Sequence, residues 1–268
     1  MMVEMIENLP TGLANSGAPE ILKGLEVISA GKVLDVATQK GGFIKTLMKT
    51  LKEYKSFTGI DLSFEDLKTI KKEFKGKSVK FLVMNAENFE FDSNSFDTVA
   101  ISHSLHHLTK INTILAEMMR VLKPDGYFII QEPFQDGKQT EAQMTDIAQH
   151  HWGSKIDRLL SVPHNFTLTK AALKEIVSKL DFKELKVVES THFVKCLFCD
   201  DKFECDDPKN EKIINFAIKE IDNELQRLSK LTEHPDYIKL KEEGELLKER
   251  VRTTGSAPAS HLFFIGKK

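Results

Sequence analysis

The chain of 268 residues predicts an α/β fold: a doubly wound, mainly parallel sheet with an inserted helical hairpin. Three observations predict it. Short apolar runs rich in β-branched and aromatic residues alternate with amphipathic stretches through the first half of the chain. Their spacing is that of βαβ units, whose helices cover both faces of one sheet through right-handed crossovers. Late in the chain, two helical patterns stand side by side between the last two strand-like runs.

Each element has its own signal. KVLDVAT, 32–38, reads as a buried strand, and GGFIKTLMKTLKEY as a helix with Phe43, Ile44, Leu47, Met48 and Leu51 on its apolar side. SFTGIDLS is a second strand, followed by a lysine-rich helix from Phe64 to Phe74. VKFLVMNAENF is a third strand. SFDTVAISHSLHH is a fourth, followed by the helix INTILAEMMRVL. KPDGYFIIQEPF is a turn and a fifth strand, with Pro124 and Gly126 as turn residues. Lys138 to Leu160 reads as helix, and TLTKAALKEIVSKL as another, capped by Thr167 or Thr169.

FKELKVVESTHFV is a sixth strand, followed by the cysteine loop CLFCDDKFECDDPK. Ile214, Ile218, Ile221, Leu225 and Leu228 then recur at spacings of four and three, an amphipathic stripe suited to core or to an oligomer contact. His234-Pro235 breaks that helix, and a charged one runs from Tyr237 to Arg252. HLFFIGKK closes the sheet. The expected organisation is one domain: a helical cover over 1–30, a ligand-binding core over 31–134, substrate-cover helices over 135–182, and the last two strands with the cysteine loop and hairpin over 183–268. A homodimer through the late helices is expected.

Charge and composition exclude several classes. The net charge is −2 and the arginines number five (Arg120, Arg158, Arg227, Arg250, Arg252), so no basic field invites nucleic acid. No run is long and apolar enough to span a bilayer, no signal peptide is evident, and three late cysteines do not make a secreted disulfide scaffold. A cytoplasmic protein with no nucleic-acid or membrane partner is the expectation.

Ligands of open parallel sheets bind beyond the carboxyl ends of the strands. Those ends carry Asp35 to Gly42, then Asp61, then Asn85, Ala86 and Glu87, then Ser102 and His103, then Glu132 and Pro133. An acid ending the second strand suits ribose hydroxyls. An amide at position 85 offers donor and acceptor to an adenine edge. The set fits a nucleoside-bearing cofactor.

These residues carry a specific resemblance. VLDVAT with Gly41, GIDLS, NAENFEF, SFDTVAISHSLHHL and RVLKPDGYFII, in that order, resemble the motifs of the class I S-adenosylmethionine-dependent methyltransferases, strongly from Gly31 to Glu132. The resemblance implies a Rossmann-like sheet with an antiparallel last strand, and S-adenosyl-L-methionine as cofactor. By position it implies that Asp35 and the backbone of Ala37, Thr38, Gln39 and Gly41 hold the methionine end. Asp61 would bind the ribose, Leu62 would lie against the adenine, and Asn85 and Ala86 would contact its edge. Ser102 and His103 would line the methionine side.

On the family pattern the LHHL run opens a helix. Three positions depart from the pattern. Ala37 and Gln39 replace the first two glycines of the turn, and Asn85 stands where aspartate is commoner. Glycine serves where φ is positive or a ligand comes close, so Gln39 is expected to take φ below zero or to leave the turn to Gly41 and Gly42.

Methyl transfer from a sulfonium is an in-line displacement that needs alignment and a dry site. Histidine is a reasonable base for a protonated acceptor. The candidates are His103, His106, His107, His150, His151 and His164, with His103, His107 and His151 preferred and Trp152 or a phenylalanine facing the sulfonium. His192, Cys196, Cys199 and Cys205 are enough ligands for zinc, yet their spacing matches no standard pattern. They read as free thiols, and no metal is expected. The leading function is methyl transfer to a small-molecule acceptor. An RNA or protein acceptor, and a non-catalytic cofactor-binding homologue, are the alternatives.

Overall fold

A computed structural model describes residues 9–64, 66–198 and 207–268. Its centre is a seven-stranded sheet in the order β3-β2-β1-β4-β5-β7-β6. The strands are β1 (Lys32–Val36), β2 (Ser56–Asp61), β3 (Val79–Val83), β4 (Phe96–Ser102), β5 (Leu122–Pro133), β6 (Glu184–Ser190) and β7 (His261–Lys267). The first five run parallel. β7 runs antiparallel to both β5 and β6, as the resemblance implies. Central strands are buried on both faces, so they read as unbroken apolar runs: Val33, Leu34 and Val36 in β1, Leu262 to Ile265 in β7. β6, at the edge, alternates instead.

The nine α-helices among the described residues are α1 (Thr11–Ala14), α2 (Ala18–Leu25), α3 (Gly42–Thr50), α4 (Leu67–Glu73), α5 (Ile111–Val121), α6 (Glu141–Leu159), α7 (Lys170–Ser178), α8 (Glu211–Leu228) and α9 (Tyr237–Thr254). One face of the sheet packs against Ile21, Leu22 and Leu25 of α2, Ile44 and Leu47 of α3, and Ile70 of α4. The other packs against Ile114, Leu115 and Met118 of α5 and Leu173 and Val177 of α7. A third core lies apart from the sheet, where α6, α8 and α9 bury Trp152, Ile156, Ile221, Leu240 and Val251.

Several sequence expectations change here. The LHHL run does not open a helix: Leu105–His107 is a single 3₁₀ turn, and α5 begins afresh at Ile111. Asp66 rather than a longer helix start caps α4, accepting from the Thr69 N–H. Thr169, not Thr167, caps α7. Thr140 and Gln143 close a capping box on α6. α7 packs on the sheet through Leu173 and Val177. Trp152 does not face a sulfonium; it is buried, and its Nε1 donates to the Leu240 carbonyl at 2.8 Å. The Ile214–Leu228 stripe is consumed within the chain, against α6 and α9. Cys199 and Cys205 lie outside the described residues. Among the described residues, no helix is long and apolar enough to cross a membrane.

Candidate functional site

The order of strands reverses between β1 and β4, which places the natural ligand crevice beyond their carboxyl ends. The turn that leaves β1 shapes it. Ala37, Gln39 and Gly41 have φ of 55°, 43° and 74°, so all three occupy the left-handed region. Gln39 therefore corrects the sequence expectation. It does not avoid positive φ but adopts it, at a cost of about 1–2 kcal/mol. The surroundings impose that shape. The Gln39 N–H donates to Asp61 Oδ2 at 2.9 Å, the Thr38 N–H to the Ile60 carbonyl at 3.0 Å, and the Gly41 N–H to the Thr38 carbonyl at 2.7 Å. Thr38 Oγ1 donates to Asp35. Glycine survives where no side chain fits: a Cβ on Gly41 would stand 2.8 Å from the Phe74 ring.

Above the turn lies a cavity of about 420 Å³, a size suited to a small cofactor. Of the residues carried over from the resemblance, Asp35, Ala37, Thr38, Gln39, Ser102 and His103 line it. Gly41 lies beneath, against Phe74. Asp61 is tied to the turn by Gln39. Leu62 is 69% exposed at the end of β2. Asn85 Oδ1 accepts from the Glu87 N–H at 2.9 Å, and Ala86 packs against the sheet core. Sequence reasoning missed Phe43, Gln131, Phe193 and Lys195, which also line the cavity. Gln131 could have been found, since it pairs with Ser102 in register. Phe193 and Lys195 follow β6, far along the chain, and carry no local signal.

Burial dominates the electrostatics. It pushes the Asp35 carboxyl up to about 7, the Thr38 hydrogen bond opposing and the nearby Asp61 charge reinforcing the rise. Burial likewise depresses His103 to about 4, which leaves the ring neutral at physiological pH. His103 has φ of 51°, and its N–H donates to the Gln131 carbonyl at 2.8 Å. Its Nε2 lies 3.2 Å from Gln131 Nε2, and its ring packs against Phe193 at 4.9 Å. An amide nitrogen only donates, so His103 offers it the Nε2 lone pair and carries its proton on Nδ1.

The other two preferred histidines lie elsewhere. His107 joins a second group with His106, His150 and His164, its ring 4.1 Å from that of His164 and 4.2 Å from that of His106. Burial and the neighbouring His106 hold it down at about 3. His151 faces a separate cavity of about 450 Å³ between α6 and α9, stacked on Phe166 at 4.4 Å and bonded to Thr167 Oγ1 at 2.8 Å. His192 and Cys196 are described, Cys196 being buried, but the proposed ligand set of four is not all within the described residues.

The family described as "Methyltransferase domain" matches residues 34–130, from β1 to β5. The phthiotriol/phenolphthiotriol dimycocerosates methyltransferase of Mycobacterium tuberculosis is 38% identical over 97 residues, 36% of this chain and 36% of that protein. The ubiquinone/menaquinone biosynthesis C-methyltransferase UbiE of Desulfotalea psychrophila is 37% identical over 97 residues, 36% of this chain and 39% of its own. The match thus spans a little over a third of the curated relatives. Among solved structures, the MccD protein shares the fold with a TM-score of 0.53 at 16% identity, covering 97% of this chain and 100% of that one. Phosphoethanolamine N-methyltransferase 2 of Haemonchus contortus, in complex with S-adenosyl-L-methionine, does so with a TM-score of 0.52 at 18% identity, covering 99% and 55%. The sheet order, the crevice beyond β1 and β4 and the family match converge on the same segment. Residues 34–130, which carry the turn after β1 and the strands that bound the crevice, are the segment that matches the methyltransferase-domain family.

Proposed function

We propose that the chain transfers the methyl group of S-adenosylmethionine to a small-molecule acceptor by in-line displacement. The observation that carries this is the turn after β1. It keeps left-handed backbone at 37, 39 and 41 although two of the three residues are not glycine. Strain of this kind persists only where the surroundings over-determine it, and it clusters at ligand clamps. It also weighs against a non-catalytic homologue, because Gln39 is exposed and keeps the loop's left-handed shape.

The residues fit the cofactor chemically. Buried Asp35 is a counter-ion for an ammonium group, and Lys195 at the cavity wall is one for a carboxylate. Asp61 retains lone pairs for ribose hydroxyls beside its bond to Gln39, and Asn85 offers its amide to the adenine edge. When bound, the cofactor supplies a methyl on an activated sulfonium leaving group, so the protein's task is alignment and exclusion of water. Phe43 and Phe193 give the cavity its apolar wall. His103, with its Nε2 lone pair turned to Gln131, positions the acceptor and donates through Nδ1 rather than taking a proton. Both curated relatives carry names of small-molecule methylation, and the net charge of −2 disfavours a nucleic-acid acceptor.

Calorimetry with S-adenosylmethionine and its demethylated product is the direct test. One site per chain, followed by demethylated product formed in the presence of a small acceptor, supports the reading. A folded chain that binds neither ligand overturns it.

A further inference from the structure

Three histidines outside the cofactor cavity form a group to which the proposed function gives no role. His106 comes from the 3₁₀ turn after β4, His150 from α6, and His164 from the segment between α6 and α7. One ligand atom from each lies within 4.8 Å of the others. His150 Nε2 and His164 Nε2 are 3.1 Å apart. Tetrahedral zinc with Zn–N of about 2.0–2.1 Å sets its ligand nitrogens roughly 3.3 Å apart, so this pair already stands near that separation.

The outer nitrogens are committed to carboxylates. His106 Nδ1 bonds to Glu132, and His164 Nδ1 to Asp157 Oδ2 at 2.6 Å. Each carboxylate is held in turn: Glu132 accepts the Ser104 and Leu105 N–H groups at 3.0 and 3.2 Å, and Asp157 pairs with Arg227. A carboxylate on Nδ1 fixes the tautomer that leaves Nε2 as a lone pair, the arrangement that orients histidine ligands in metal proteins. Two of the three rings are so arranged, and Glu132 and Asp157 reach them from different elements. Packing alone would not require it.

We propose that His106, His150 and His164 bind one divalent cation of the borderline class, zinc being the best fit, through three neutral imidazoles with a fourth position open. Imidazole suits this class, and three protein ligands with an open position is the catalytic rather than the structural arrangement of zinc. Gln131 and Glu132 are consecutive in β5 and so project to opposite faces of the sheet: Gln131 lines the cofactor cavity, and Glu132 orients His106. The open position would take water or a ligand oxygen, nitrogen or sulfur. This assignment does not depend on methyl transfer.

The test uses the full chain, stripped with a chelator and titrated with Zn²⁺ by calorimetry, alongside its Co²⁺ absorption spectrum. The expected result is one Zn²⁺ per chain and a Co²⁺ spectrum with visible d–d bands but no thiolate charge-transfer band. His150→Ala should abolish stoichiometric binding at micromolar Zn²⁺ while circular dichroism stays unchanged. Should that variant unfold, Asp157→Asn serves instead, with affinity lowered about 10–100-fold. His151→Ala, whose ring bonds to Thr167 instead, should bind as the parent does. No stoichiometric binding by the parent, full binding by folded His150→Ala, or a thiolate band that moves the metal to the cysteine loop would each overturn the proposal.

Discussion

Ala37 and Gln39 show what a residue-by-residue reading can and cannot foresee. The turn's role was legible, because Asp35, Asp61 and Asn85 stand at matching strand ends. Its backbone was not, because φ at Gln39 is set by Asp61, 22 positions away, through the 2.9 Å bond to the Gln39 N–H. Gln39→Gly should release the strain of about 1–2 kcal/mol and give back about 0.4–1 kcal/mol in unfolded-chain entropy. The expected net effect is a gain of between zero and about 1.6 kcal/mol in urea unfolding, and a loss instead would mean that the turn is not strained. Asp35 gives a pH signature. Its folded-state value of about 7 lies above the ordinary 3.8, so the folded chain holds this proton more tightly than the unfolded one. That contribution is fully present below the ordinary carboxylate range and is lost as pH rises through about 7. Asp35→Asn should therefore stabilise the ligand-free chain at pH 8, by an amount on the order of a few kcal/mol, and by little at pH 4. The same substitution should weaken S-adenosylmethionine binding, which calorimetry would measure. Equal unfolding curves for parent and variant at pH 8 would remove the electrostatic account.

At the scale of elements, helices with a strong apolar period and a cap were legible, and short turns governed by distant partners were not. The LHHL run has helical residues, yet buried Glu132 accepts the N–H groups of Ser104, Leu105 and His106 and holds them as a 3₁₀ turn. Trp152 was unreadable for a related reason. Its place depends on α9, whose Gly244 leaves room for the indole. A Cβ there would stand 2.6 Å from Trp152 Cζ2 and 2.9 Å from Leu225 Cδ2. The indole is pinned by its bond to Leu240 and cannot yield cheaply. Gly244→Val gains little helix propensity from its β-branched side chain and overpacks this core, so we expect a loss of about 1–3 kcal/mol. Urea unfolding would show it as a lower midpoint with an unchanged slope. A neutral result would mean that α6 and α9 slide apart freely and that the third core is loosely packed.

Over the whole molecule, the parallel sheet was legible from alternation alone, since buried central strands and amphipathic crossovers leave opposite periodicities. The direction of β7 came only from resemblance, because no local feature of HLFFIGKK separates an antiparallel strand from a parallel one. The way distant segments meet was also hidden. Phe193 and Lys195 close the same cavity that β1, β4 and β5 open, whereas α8 and α9 contribute nothing to its lining. A cofactor in that cavity links the sheet to the segment after β6 and leaves the helical layer untouched. Ligand present at 100 times its Kd stabilises a folded chain by about 2.7 kcal/mol, which for a chain of this size raises Tm by roughly 5–10 °C. We expect this shift with S-adenosylmethionine in the parent. Because Gly244 shares no partner with the cavity, Gly244→Val should start from a lower Tm and gain a similar free-energy increment, as independent sites do. Scanning calorimetry of both proteins, with and without ligand, measures the four numbers. An increment that shrinks markedly in the variant would show that the helical layer does reach the cofactor cavity, and would make α8 and α9 part of the binding machinery rather than a separately packed layer.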